Sequence, residues 1–405
     1  MKDLRRDFPQ LKRKINGKRL VYLDSTATSL KPDQVIAKEE EYYTTYCANV
    51  FRGIYTTSEE ATEEFEKARD KVARFIGAFS SDEIVFTRNA SESLNVVMNA
   101  LSRMNLHGGE LVTSIMEHHS NFVPWQQLAL GFGVPFRIWN IDASGVLNIK
   151  DLEKLVTKKT KLLAITAVSN VLGTINPIRQ ISRIAKRINP NCLVLVDAAQ
   201  AVPHMKINVK DWGADAVAFS SHKMLGPTGV GVLWAHRALL EEFAPYQYGG
   251  EMIKEVHADR TVFAAPPHKF EAGTPHIAGV IGLGAAVDYL TSIGMDAVRS
   301  HEVEITDYAL KGLATIKGVS VIGPPKAKDR GGVIAFTMKG SHAHDIAQLL
   351  NEDNVCIRAG HHCAMPLHEY LHIPATARAS FYVYTTKSDV DALVEGLEKV
   401  KKLFA

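Results

Sequence analysis

A lysine set in apolar sequence is the first residue here that could do chemistry. In "SSHKMLGPTGVGVLW" (220–234), Lys223 stands between the apolar runs 216–219 and 229–234. An ammonium placed there loses water, and buried lysines without a purpose are rare. Two readings stay open: a paired structural cation, or an amine desolvated so that its neutral form can attack an electrophile.

Other reactive residues fall after strand-like runs. "LVLVDAAQ" puts Asp197 at the end of such a run, with Gln200 three residues on. That acid either caps a helix or aims its carboxylate at a heterocycle's protonated nitrogen. "FTRNASESLNVV" passes from strand to helix at Asn89, with Glu92 spaced as in a capping box. The amides of Ala90 and Ser91, with the Ser91 hydroxyl, make a candidate anion site at a helix amino terminus, the alternative being a plain cap. "MEHHSNFVPW" places His118 and His119 after another strand. "RAGHHCAMPL" sets Cys363 beside His361, His362 and Arg358, a positive neighbourhood expected to lower a thiol pKa. The competing reading for that cysteine is a small buried hydrophobe. A lysine for an aldehyde, an acid for a pyridinium and a strand-end anion site for a phosphate together describe a pyridoxal phosphate layout.

The elements that must position these residues are legible as a pattern. Short apolar runs at 83–87, 110–115, 161–168, 192–197 and 216–220 alternate with helical stretches at 91–103, 123–130 and 178–187. Runs apolar on both faces belong to strands covered by helices on both sides, with ligands at their carboxyl ends. The expected fold is therefore α/β with a mostly parallel sheet. Beyond residue 293 the texture changes to a long amphipathic helix, two strands and two further helices. This predicts a large domain over 25–293 and a smaller α+β domain over 294–405, with segment 1–24 packed on the latter.

Bulk properties exclude several classes. The chain has 405 residues, 46% hydrophobic and 22% charged, with net charge +3, which gives no reason to invoke nucleic acid or a membrane surface. Four scattered cysteines without a CxxC pair argue against a metal centre or a disulfide framework. The basic amino terminus lacks the apolar core of a signal peptide, so the cytoplasm is the expected location.

The stretches "YLDSTATSLKP", "EIVFTRNASE", "MEHHSNFVPWQ", "TAVSNVLGTINP", "VDAAQAVPH", "SSHKMLGPTGVGVLW", "FEAGTPH" and "RAGHHCAMPL" resemble the group II, SufS-type cysteine desulfurases over essentially the full length. The resemblance implies a homodimer of the pyridoxal phosphate fold-type I, aminotransferase-like architecture. It implies that Lys223 forms a Schiff base with the cofactor, Asp197 meets the pyridinium and Gln200 the phenolate oxygen. His118 would stack on the ring and, as a catalytic residue, shuttle protons. Ser91, Ser220 and His222 would hold the phosphate, joined by Thr274 from the other subunit. Asn170 and Arg378 would grip the carboxylate of L-cysteine, assisted by Arg358. Cys363 would take the sulfur as a persulfide for iron–sulfur cluster assembly, handing it to an acceptor of SufE or SufU type.

Phe51 and Tyr55 stand where such proteins often carry histidines, and Ala90–Ser91 where many show two threonines. His342 and His344 read as solvated histidines or, by the same resemblance, as a contact to a zinc-bearing acceptor. Selenocysteine lyase is the nearest alternative activity, followed by cysteine sulfinate desulfinase. A scaffold that has lost its cofactor is the non-enzymatic one.

Overall fold

The computed structural model describes residues 4–404. Its centre is a seven-stranded sheet of β1 (Ile84–Thr87), β2 (Glu110–Ser114), β3 (Phe136–Trp139), β4 (Thr160–Thr166), β5 (Leu193–Asp197), β6 (Ala216–Ser220) and β7 (Gly231–Ala235). The strands lie in the order β1-β7-β6-β5-β4-β2-β3. Strands β2 to β6 pair in parallel, while β7 runs antiparallel to both β6 and β1. β1 therefore points the same way as β6, and the carboxyl ends of β1, β2, β5 and β6 share one edge. Ligands of open α/β sheets collect at that edge.

Alternation along the strands shows why the sheet is covered twice. Val194 and Val196 of β5 enter one apolar cluster, while Leu193 and Leu195 enter the other. Val217 and Phe219 of β6 divide from Ala216 and Ala218 in the same way. Helix α1 (Ala90–Ser102) lines the second face, with Leu94, Val97 and Leu101 buried.

Helix α2 (Ile277–Ile293) has no counterpart in the sequence reading. It is apolar nearly all round and buried along its length, so it shows no amphipathic stripe to find. Among the described residues no single helix is long and apolar enough to cross a membrane. At Gly294, in the positive-φ region at +84°, the chain bends by 75° into α3 (Met295–Ala314).

A four-stranded sheet follows, with β8 (Val319–Ile322), β9 (Val333–Met338), β10 (Arg358–Gly360) and β11 (Thr376–Ser380) in the order β8-β9-β11-β10. Its core joins Ile334, Phe336 and Ala377 to Ile305 and Leu313 of α3 and to Leu393 and Leu397 of the last helix, Lys387–Leu403. The amino-terminal segment docks here. Val21–Tyr22 pairs in parallel with Val355–Cys356, and Arg5 bonds Asp389 at 2.6 Å. Phe8 is fully buried, packed edge-on to Tyr289 and Tyr384. This arrangement leaves residues 24–31 threaded between the two sheets.

Candidate active site

A cavity of about 250 Å3 opens at the shared carboxyl edge of the large sheet. Its lining brings together Ser91, His118, Asn170, Asp197, Gln200, Ser220, His222, Lys223, Arg358, Cys363 and Arg378. Of the cofactor- and substrate-binding residues that the resemblance implied, Thr274 lies elsewhere, in a depression with Arg88 and His276; His119 and His361 flank the cavity loops without lining it, and Glu92 faces the Thr274 depression. Its assigned contact was with the phosphate of a second subunit, which one chain does not contain.

Local chemistry explains each placement. β6 ends at Ser220, and a single 3-10 turn, Ser221–Lys223, carries the lysine into the cavity. Desolvation pushes the Lys223 amine below its ordinary pKa, while Asp197 opposes the shift. Asp197 is 5% exposed and accepts from the Ala199 amide at 2.9 Å. Burial raises its pKa, with Lys223 pulling the other way. A second cationic or proton-donating group in the cavity is what such a carboxylate needs.

His118 is neutral. Burial, then the positive charge of Lys223, lower its pKa to about 3. Its Nδ1 accepts from the Ser120 amide at 3.1 Å, which leaves the proton on Nε2. Gln200 is held by its Nε2, which donates to the Thr26 carbonyl at 2.9 Å.

Two details of the anion site differ from expectation. The Ala90 amide is not free; it donates to Ser220 Oγ at 2.8 Å. Asn89 caps α1 by accepting from the Glu92 amide at 2.9 Å, but Glu92 returns its bond to the Arg88 amide, at 2.5 Å, instead of to Asn89. The box is thus displaced by one residue. Space for this turn comes from Gly231 at the start of β7. A Cβ there would lie 2.4 to 2.6 Å from the Asn89 backbone.

Arg378 is 2% exposed on β11. Its Nη1 donates to the Asn170 carbonyl at 3.0 Å, its Nη2 to Asp24 at 3.1 Å, and its buried Nε has no partner. A buried guanidinium that lines a cavity and has one carboxylate partner, Asp24, suits an anionic ligand.

Cys363 is exposed at the cavity rim on a strained loop. His362 and Cys363 have φ of +51° and +56°, a region costly for side chains other than glycine. Tertiary bonds hold it: Asn170 Nδ2 donates to the His362 carbonyl at 2.7 Å, and the His119 amide to the Cys363 carbonyl at 2.7 Å. His119 Nε2 also accepts from the Met365 amide at 3.0 Å. The expected positive neighbourhood of the thiol needs correction at His362. Burial, followed by the charge of Arg378, lowers its pKa so far that it is neutral, so the basic side chains that line the cavity with Cys363 are Arg358, Arg378 and Lys223.

Sequence reasoning passed over Glu117. Buried one residue before His118, it accepts from Ser114 Oγ at 2.5 Å, Asn121 Nδ2 at 2.6 Å and the Thr166 amide at 3.0 Å. Burial, with Asp197 adding repulsion, pushes it up to about 8 against those three donors. The only signal was an acid in an otherwise buried strand end.

The chain is similar to known proteins along nearly its whole length. Residues 21–393 match the family described as "Aminotransferase class-V". A Streptomyces coelicolor protein named "Probable cysteine desulfurase" is 49% identical, over 99% of this chain and 97% of that one. One of the same name from Halalkalibacterium halodurans is 48% identical, over 99% and 98%. The solved apo structure of cysteine desulfurase from Thermococcus onnurineus NA1 superposes with a TM-score of 0.94 at 40% identity, covering 99% of this chain and 98% of that one.

Proposed function

The chain belongs to the class-V aminotransferase family and, within it, to the cysteine desulfurases; from that premise we propose that it is of the group II, SufS type. It converts L-cysteine to L-alanine, takes the sulfur as a persulfide on Cys363 and passes it to a protein acceptor for iron–sulfur cluster assembly, working as a cytoplasmic homodimer. The single observation that carries this reading is that Lys223 and the exposed thiol of Cys363 line one cavity with Asp197, Gln200 and His118.

The lining fits pyridoxal phosphate. Asp197 would face the ring nitrogen, Gln200 the phenolate oxygen and His118 the ring face, while Ser91, Ser220 and His222 would hold the phosphate. When bound, the cofactor supplies an electron sink for charge developing on the substrate's α-carbon. The chain's own residues do the rest. Lys223, made a better nucleophile by desolvation, is the amine for the aldehyde and moves the proton at the α-carbon. Arg378 and Asn170, which both line the cavity, orient the substrate carboxylate. The Cys363 thiolate attacks the substrate sulfur: an S–S bond forms, the C–S bond breaks, and its electron pair stays with the three-carbon fragment. That fragment takes up protons and leaves as alanine.

The outward-facing thiol supports delivery to a partner of the SufE or SufU type. His342 and His344 have rings stacked 5.3 Å apart, and a Cβ on Gly360, three residues before Cys363, would sit 3.9 Å from His344 Nε2. Thr274 supports the homodimer, because it meets the phosphate only if a second copy brings it there.

Anaerobic incubation with L-cysteine tests the proposal. Alanine should form to about one equivalent per subunit without reductant and continue with one, and Cys363→Ala should stop it while keeping the yellow Lys223-bound cofactor. A Cys363→Ala enzyme that turns over cysteine normally overturns the assignment. Wild-type enzyme that cleaves selenocysteine but not L-cysteine moves the assignment to selenocysteine lyase.

A further inference from the structure

The carbonyl oxygen of His222, immediately before Lys223, accepts from four donors. These are the Ser29 amide at 2.9 Å, Ser29 Oγ at 3.0 Å, Thr28 Oγ1 at 3.1 Å and Lys31 Nζ at 2.9 Å. A carbonyl has two lone pairs, and a neutral hydrogen bond or two satisfies it. The other side of the turn is caught by the same segment: Ser29 Oγ accepts from the Leu225 amide at 2.8 Å. Leu225 has φ of +68°, a conformation that a branched side chain keeps only when its surroundings over-determine it.

Lys31 is the unusual member. Its ammonium donates to the carbonyls of Ser29, at 2.6 Å, and His222, and among the described residues no carboxylate comes within ion-pair distance, Glu39 acting on it only through space. It does not line the cavity, so it is not placed to touch substrate or cofactor. Desolvation, partly offset by Glu39, lowers its pKa to about 7. Placing a lysine among carbonyls is costly; this one bonds the turn that carries Lys223 at the His222 carbonyl and also holds Ser29, the residue that grips that turn from both sides.

We propose that Lys31 is a positioning residue for Lys223, clamping the His222 carbonyl so that segment 28–31 fixes the lysine turn from both ends. The segment is itself tied to the rest of the site. Asp24 bonds Arg378, the Thr26 carbonyl accepts from Gln200, and the Leu30 amide donates to Tyr384 Oη at 3.1 Å. The strap thus connects the carboxylate-binding arginine to the reactive lysine. This inference rests on the proposed role of Lys223.

The test uses full-length holoenzyme. Lys31→Met keeps the stem and removes the donor, and Lys31→Arg keeps a cationic donor. Removing one charge-assisted bond should speed amide exchange over 220–226, and hydroxylamine release of pyridoxal phosphate from Lys223, by about ten-fold in Lys31→Met, which corresponds to about 1.4 kcal/mol. Exchange in β5 should stay at the wild-type rate, kcat should fall with KM little changed, and Lys31→Arg should recover most of the loss. Should Lys31→Met fold poorly, Ser29→Ala must loosen the same peptide. Wild-type exchange over 220–226 in these variants, uniform loosening that includes β5, or an arginine no better than methionine overturns the inference. A wild-type protein with no releasable pyridoxal phosphate on Lys223 overturns the proposed function instead, and the exchange comparison still decides whether the clamp exists.

Discussion

Gly231→Ala is the sharpest probe of how the sheet builds the anion site. The added Cβ would stand 2.4 Å from the carbonyl carbon, 2.5 Å from Cα and 2.6 Å from N of Asn89, where ordinary contact begins at 3.4 Å. All three atoms are backbone, so no side chain can swing away. The Asn89 turn must retreat by about 1 Å, taking with it the cap of α1 and Ser91. Overpacking of this kind costs about 1 to 3 kcal/mol, less than a whole domain's stability, so the protein should still fold. Loss of a hydrogen bond to a charged phosphate costs about 1.5 to 3 kcal/mol, on the order of 100-fold at its upper end. Pyridoxal phosphate affinity, measured by absorbance titration of cofactor-stripped protein, should therefore fall by up to about 100-fold with the melting temperature only modestly lowered. Gly131→Ala is the control. It lies in the helix Val123–Phe132 with nothing within 4 Å of the new Cβ, and should stabilise the protein by up to about 1 kcal/mol. Wild-type affinity in Gly231→Ala, in a protein that melts normally, would refute the reasoning.

Three further outcomes follow from the site. Arg378→Lys replaces a planar fork, already bound at Asn170 and Asp24, by a point charge; KM for L-cysteine should rise at least about ten-fold, read from initial rates. Asn170→Ala removes the bond to the His362 carbonyl, so amide exchange over 361–365 should speed up about ten-fold and alanine formation should fall, as measured by exchange mass spectrometry and product assay. Glu117 carries a pH signature. Its folded-state pKa, about 8, lies above the ordinary 4.5, so between those values the folded chain keeps a proton that the unfolded chain has released. Stability falls as pH rises through that window, by at most about 1.4 kcal/mol per unit. Denaturant midpoints of Glu117→Gln compared with wild type should show this slope in wild type only.

The parts of the site that sequence exposed share one property. Asp197, Lys223, His118 and Ser91 each follow, within a few residues, an apolar run long enough to read as a buried strand, so a local pattern marks both the element and its functional end. The same locality explains what was missed. Helix Ile277–Ile293 is apolar on every face and offers no period, and edge strand Phe136–Trp139 is too short and too exposed to stand out. The capping box was legible as a motif, yet its return bond moved to Arg88, a shift that no spacing rule shows.

Residue types and their order along the chain were enough to indicate an α/β sheet with reactive groups at its carboxyl edge, because strand burial and turn chemistry act over a handful of residues. Only the folded chain decided the contacts that make those groups usable. Asn170 reaches the loop at 362 across 192 positions, Thr28 to Lys31 reach the carbonyl at 222 across 191 to 194, and Gly231 makes room for Asn89. Such contacts depend on the close packing of elements distant in sequence, and neither periodicity nor composition carries information about which two will meet.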